Sequence, residues 1–256
     1  MSSALARVRA AFAAFASERR GRAWWWVQLE VGLIGLLMFL LRSPFDPGMP
    51  GSGLDPSWRQ ALPEASARGL QIGRDVVYSF GPLSGIYSNE YHPAVFVSTV
   101  CVTLLLCAVF AVLLQRLARL AFSAWWSRAL VMVAFTLLVA QHDCFSFAFA
   151  PLGVALLFSE EPPSAPVEVA WWWSMATLTL VKASFGAIGA LIFVIVLLTR
   201  LRDRPRLVRL LAFPVSCVGM WLSTGQNLLS LPYYALNSLH VSTGYAASMS
   251  FPPPAW

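Results

Sequence analysis

From Pro93 to Leu114 the chain reads PAVFVSTVCVTLLLCAVFAVLL, 22 residues without a single charge. A helix of that length rises about 33 Å, enough to cross a hydrocarbon core of about 30 Å. A second run, Trp24–Leu41, is comparably apolar, with Glu30 its one charged residue. Charged residues make up 12% of the chain and apolar ones 58%, whereas a soluble domain carries about 25% charged residues. This predicts an all-α, polytopic membrane helical bundle. Eleven Trp agree with that reading, because Trp collects at the membrane–water boundary.

The formal charge of +6 is not distributed as in a nucleic-acid-binding protein. Arginines cluster at the ends of apolar runs: Arg19, Arg20 and Arg22, then Arg116 and Arg119, then Arg200 through Arg209. Flanking charge of this kind stays cytoplasmic, so the N-terminus is expected inside and residues 42–92 outside. Residues 1–23 alternate Ala, Phe and Arg and suit a basic amphipathic helix on the inner leaflet. Arg42-Ser43-Pro44 follows the first run where a cleaved leader would carry a small-residue site, so the run reads as a retained span. Cys101, Cys107, Cys144 and Cys217 lie in or beside apolar segments without metal or CxxC spacing, which indicates neither a disulfide framework nor a zinc site.

Two further stretches are too long for one crossing. Trp125–Phe158 is broken by Gln141-His142-Asp143, and Val169–Thr199 by Lys182 and Ser184. As single helices they would reach about 45–50 Å and hold Asp143 and Lys182 near mid-membrane, at about 2.5–3.5 kcal/mol each. Read as hairpins, they bring both polar breaks to the outer face. With a last span over about 207–222, the expected architecture has about seven spans, the third to sixth short, making a membrane module over 24–222. Residues 223–256 read as an outer interfacial segment. Its Pro252-Pro253-Pro254-Ala255-Trp256 ending points to a longer parent protein.

On this topology the outer face gathers Asp46, Asp55, Glu64, Arg68, Arg74, Asp75, Glu90 and His92 from the first loop. The hairpin tips add Gln141, His142, Asp143 and Lys182. Acids and cations from distant segments suit general-base work beside phosphate binding. Each residue also has a plainer reading. Asp55-Pro56 is the N-cap and first position of a helix that stops at Gly69, with Trp58, Leu62 and Ala65 resting on the membrane. Arg74 and Asp75 can pair with each other, Gly81-Pro82 can be only a turn, and Lys182 can snorkel to the interface. Glu30 suits pairing with a nearby Arg, and His240 and Tyr245 are weaker site candidates.

In order along the chain come Asp55, Gly73-Arg74-Asp75, Gly81-Pro82-Leu83, Asp143 and Thr179-Leu180-Val181-Lys182. This series resembles the GT-C superfamily of polytopic glycosyltransferases that use polyprenyl-phosphate sugars, in the branch of protein mannosyltransferases and lipid A aminoarabinose transferases. There an acid after the first span opens an amphipathic helix, and a Gly-x-Asp and a Pro-Pro-Leu turn follow. A second acid lies between spans three and four, and a Lys-Gly-Pro lies near the end of span five. The likeness covers most of residues 24–199. Pro56, Gly81 and Ala183-Ser184 depart from the pattern, at positions that bear on acceptor type.

The resemblance implies transfer of a sugar from a lipid-linked donor at the outer face of a bacterial inner membrane. Asp55 and Asp143 would be the catalytic acids, with Asp55 the general base. Arg74, Asp75, Lys182, His142, Gly81 and Pro82 would bind substrate. The donor itself is the polyprenyl-phosphate sugar; no resident cofactor is specified, a divalent metal is left open, and no residues are assigned as metal ligands. The partners implied are that donor and membrane lipids, with no nucleic acid and no protein partner specified. Two other classes stay open: a non-catalytic assembly subunit on the same fold, and a lipid or solute transporter.

Overall fold

A computed structural model describes residues 25–42, 54–201 and 203–249, the side chains of 54–57, 142 and 245–249 excepted. The amphipathic segment expected over 1–23, together with Asp46, lies outside the described residues. In chain order the helices are α1 (Trp25–Arg42), α2 (Leu54–Ala67), α3 (Gly85–Ser88), α4 (Phe96–Ala121), α5 (Trp125–Leu138) and α6 (His142–Leu157). They continue as α7 (Ala165–Thr179), α8 (Ala183–Thr199), α9 (Arg204–Leu210), α10 (Ala212–Ser223) and α11 (Ser230–Met249). Two isolated bridges, Ile72 with Val76 and Phe80 with Lys182, are the β pairing among the described residues. The fold is all-α.

The expectation of about seven spans is overturned. Three helical stretches are long and apolar enough to cross a membrane: Trp25–Arg42 (18 residues), Phe96–Ala121 (26 residues) and Arg204–Ser223 (20 residues), the last running through α9 and α10. The polar breaks do end helices, at 139–141 and 180–182. The pieces they leave, however, are α5 and α6 of 14 and 16 residues and α7 and α8 of 15 and 17. Such helices reach only about 21–26 Å, short of a hydrocarbon core of about 30 Å. Excess length and the cost of burying Asp143 and Lys182 argue for breaking each stretch in two, but they do not make the halves long enough to cross. The chain has a few apolar helices of membrane length, as a membrane-associated protein does.

Helix α7 is the hub. It packs against α4, α6, α8 and α10 and buries Trp171, Trp172, Met175, Ala176 and Leu178 around its circumference. A helix apolar on every side belongs in an interior. Its hydroxyls remain satisfied because Ser174, Thr177 and Thr179 donate to the carbonyls of Ala170, Trp173 and Met175 at 2.9 Å. The Trp171 indole donates to the Phe149 carbonyl of α6 at 2.8 Å, and Gly153 lets the α6 backbone close on that ring, where a Cβ would overlap it. Phe110, Phe145, Phe149 and Phe213 fill the rest of this core. On α1 the stripe Leu29, Leu33, Leu36 and Leu40 is exposed, at the spacing of one helix face, and is the surface a lipid would cover.

A second, smaller core seats the loop between α1 and α4. Leu62, Ala65, Ile72 and Phe80 pack with Leu180, Trp221 and Tyr234, so the α2 face expected to rest on a membrane rests on protein instead. Trp58 stacks on Phe80 with ring centroids 4.6 Å apart. The loop is also bonded to the far end of the chain. Gln226 accepts from the Ile72 N–H at 2.7 Å and donates to the Leu70 carbonyl at 3.1 Å. Asn237 and Ser238 donate to the carbonyls of Gly73 and Tyr78 at 2.7 and 3.1 Å. At Gly73 the backbone has φ +90°, and an added Cβ would strike the Tyr234 backbone.

Candidate functional site

The break between α7 and α8 organises the site. Lys182 caps α8 in an extended conformation, and its backbone lies antiparallel to Phe80. The Gly81 and Leu83 N–H groups donate to the carbonyls of Val181 and Leu180 at 3.1 and 3.0 Å, and the Ala183 N–H donates to Ser79 at 2.8 Å. Gly81 is required by this approach: a Cβ there would collide with the Leu180 carbonyl. Pro82 is buried beside it. The turn expected at 81–83 is present, with residues 82–84 turning and the Ser84 N–H donating to the Gly81 carbonyl at 3.1 Å, and the main-chain bonds beside it fasten that turn across the interhelix break.

This pairing sets the Lys182 ammonium among aromatic rings. Its Nζ lies 5.3, 4.8 and 5.7 Å from the ring centres of Phe80, Tyr87 and Phe185, within cation–π range. It also meets Asp143, whose Oδ1 is 3.1 Å away. The Tyr87 hydroxyl donates to Asp143 Oδ2 at 3.2 Å. Lys182 is 24% exposed and Asp143 47%, so water screens the pair and its net worth is about 1 kcal/mol or less. Asp143 lies in the first turn of α6, where the helix dipole favours an anion.

Asp143 also lines a cavity of about 630 Å³ with Arg59, Tyr87, Ser88, Asn89, Glu90, Gln141 and Cys144. Ligand pockets typically hold about 300–1,000 Å³. Its polar groups come from α2, the α3–α4 junction and the α5–α6 break. Asn89 ends α3 in the left-handed region, φ 54°, which Asn tolerates better than most residues, and so turns Glu90 to the cavity. Arg59 Nε, Glu90 Oε2 and Ser88 Oγ are buried there without hydrogen-bond partners, so the wall presents a donor and acceptors that a polar ligand can satisfy. Among the described residues the cavity's cation is Arg59; Lys182 stands behind Asp143 rather than on the wall.

Other expected site residues fall elsewhere. Arg74 and Asp75 approach each other at 3.9 Å, and Asp75 accepts from the Gln71 N–H at 2.9 Å, tying its own turn. Neither lines the cavity. Asp55 lies in the first turn of α2, which opens at Leu54 rather than after Asp55. The side chains of Asp55 and His142 lie outside the described residues. Glu30 pairs with Arg128 at 3.5 Å, at the opposite end of the bundle. Among the described residues no three His, Cys, Asp or Glu side chains group as metal ligands.

Glu64 fastens α2 over the site. It accepts from His92 Nε2 at 2.9 Å and from Arg68 Nε at 2.6 Å. His92 Nδ1 accepts the Ala94 N–H at 3.3 Å, which leaves Nε2 to donate. The His92 hydrogen bond, then that from Arg68, holds the Glu64 carboxyl below the usual carboxylate range.

Arg59 and Tyr87 were not singled out in the sequence. For Arg59 a signal existed, since it follows Asp55 by four residues and shares its side of a helix. For Tyr87 none did, because its partner is 56 residues away. In comparison with known proteins, no family model, no curated protein and no solved structure matches the chain.

Proposed function

We propose that this chain is the membrane module of a glycosyltransferase that moves a sugar from a polyprenyl-phosphate donor to an acceptor at the outer leaflet. The observation that carries the reading is the cavity where Arg59, Glu90 and Asp143 converge from three distant segments. The chain crosses the membrane more than once, with its Arg-rich end cytoplasmic and the Asp143 cavity outside.

In this reading Arg59 holds the donor phosphate, for which a guanidinium fork is well shaped. Asp55, one helical turn earlier on α2, takes the proton of the acceptor hydroxyl or amine. The acceptor atom then bonds to the anomeric carbon as the bond from that carbon to the phosphate oxygen breaks, and the electron pair leaves on the phosphate. Asp143, held by Lys182 and Tyr87, orients the acceptor, and Glu90 contacts a sugar hydroxyl. Removing an electrostatic contact of this kind costs about 10²–10³ in rate.

One observation favours a second reading, a non-catalytic assembly subunit. Both carboxylate oxygens of Asp143 already have protein partners, as in a group that closes an interhelix break. Membranes containing the chain, supplied with radiolabelled polyprenyl-phosphate sugars, distinguish the two. The transferase reading expects label to move in wild type and to fall at least about 100-fold in Asp55→Asn and Arg59→Gln. Wild-type rates in both variants would sink the assignment, and no transfer by the wild type would support the subunit.

A further inference from the structure

The opposite end of the bundle carries a cavity that the proposed chemistry does not use. Helix α4, 26 residues and about 39 Å long, starts beside the Asp143 site and ends at Ala121. There, between α1, α4 and α5, a cavity of about 540 Å³ is lined by Trp26, Val27, Glu30, Arg119, Trp125 and Arg128. Its floor is indole and aliphatic surface, and Trp26 and Trp125 are 65% and 70% exposed. That is the placement of interfacial Trp at lipid headgroup level.

Its polar side is not self-sufficient. Each Glu30 oxygen already accepts a hydrogen bond, from Gln115 Nε2 at 3.1 Å and from Arg128 Nη2 at 3.5 Å. Arg128 also donates from Nη1 to the Ser123 carbonyl at 3.0 Å, yet its Nε is buried without a partner. Arg119 makes no ion pair or hydrogen bond among the described residues and faces both this cavity and a neighbouring one of about 570 Å³ that also holds Arg116. Two guanidiniums against one carboxylate leave a net positive wall with an orphaned buried N–H. An anion with several acceptor oxygens would satisfy it.

We infer that this cavity is a binding site for the phosphate of an anionic membrane phospholipid, gripped by Arg119 and the Arg128 Nε, with acyl chains running down the exposed leucine face of α1. A soluble anion would satisfy the guanidiniums but leave the Trp-lined floor uncovered, whereas a phospholipid covers both.

The full-length chain, purified in detergent, is offered phosphatidylglycerol and phosphatidylcholine together, and retained lipid is counted by native mass spectrometry. Wild type retains phosphatidylglycerol in preference by about fivefold or more, and Arg119→Gln lowers that preference by about fivefold, the effect of one basic residue at an anionic lipid surface. Arg119 is exposed, so the variant keeps its fold, and Arg119→Lys keeps the preference. Millimolar glycerol phosphate displaces none of the lipid. Equal retention of the two lipids by wild type, or an undiminished preference in Arg119→Gln, overturns the site. Displacement by glycerol phosphate overturns its assignment to a lipid.

Discussion

Replacing Gly81 by Ala tests the main-chain pairing between 79–83 and 180–183 on which the site is built. The added Cβ meets the Leu180 carbonyl and, 3.0 Å off, the Tyr234 hydroxyl. Neither is the loose end of a flexible side chain: the carbonyl already accepts from Leu83, and the tyrosine donates to the Thr179 carbonyl at 3.1 Å. The 79–83 segment must therefore move off 180–183, giving up two or three main-chain hydrogen bonds worth about 1 kcal/mol each. A loss of about 2–3 kcal/mol lowers the melting temperature of a chain this size by roughly 5–10 °C. Tryptophan fluorescence follows the melt, since Trp58 and Trp221 belong to the core on this segment. Gly219, within α10, has open space where its Cβ would be; Gly219→Ala is expected to stabilise by up to about 1 kcal/mol. If Gly81→Ala melted within about 2 °C of wild type, the close approach would not be what holds the loop to the α7–α8 break.

Three further outcomes are expected. A double-mutant cycle with Asp143→Asn and Lys182→Met should give a coupling of about 1 kcal/mol or less at low salt, shrinking as salt rises; a salt-independent coupling would contradict a partly exposed pair. Glu64, with its folded-state carboxyl pKa depressed, contributes stability that is fully present above the unfolded value of about 4.3 and is lost as pH falls through the folded value. Hydrogen exchange in α2 should accordingly accelerate in that acid range in wild type and show no such step in Glu64→Gln. Arg209→Met should cost about 3–5 kcal/mol, because it strands the Glu168 carboxylate, 2% exposed and 3.0 Å from Arg209; equal stability of Arg209→Met and the exposed Arg204→Met would refute the pairing.

How far the site could be read in advance depended on distance along the chain. The Arg74–Asp75 contact and the helix that holds Asp55 involve neighbours, and spacing alone proposed them. The meeting of Asp143 with Lys182 spans 39 residues. The polar breaks marked both residues as unusual, but only folding shows that they touch and that Lys182 thereby turns from the cavity wall. Arg59 looked like one more polar residue on an amphipathic helix. It became the cavity's cation because Trp58, Leu62 and Ala65 are drawn into protein, a contact made with residues as distant as Trp221 and Tyr234.

By itself the sequence determined the all-α class, the apolar runs of membrane length and the places where polar residues interrupt helices. These follow from local chemistry, the hydropathy of a window and the helix period. Tertiary structure decided how many helices are long enough to cross, because that depends on where packing and capping end each one. It also decided that segment 70–78 is bonded to 226–238, that Gly81 touches the Leu180 carbonyl, and that Arg59, Glu90 and Asp143 share a cavity. Such contacts depend on the fit of surfaces far apart in the chain, and periodicity within one element carries no record of that fit.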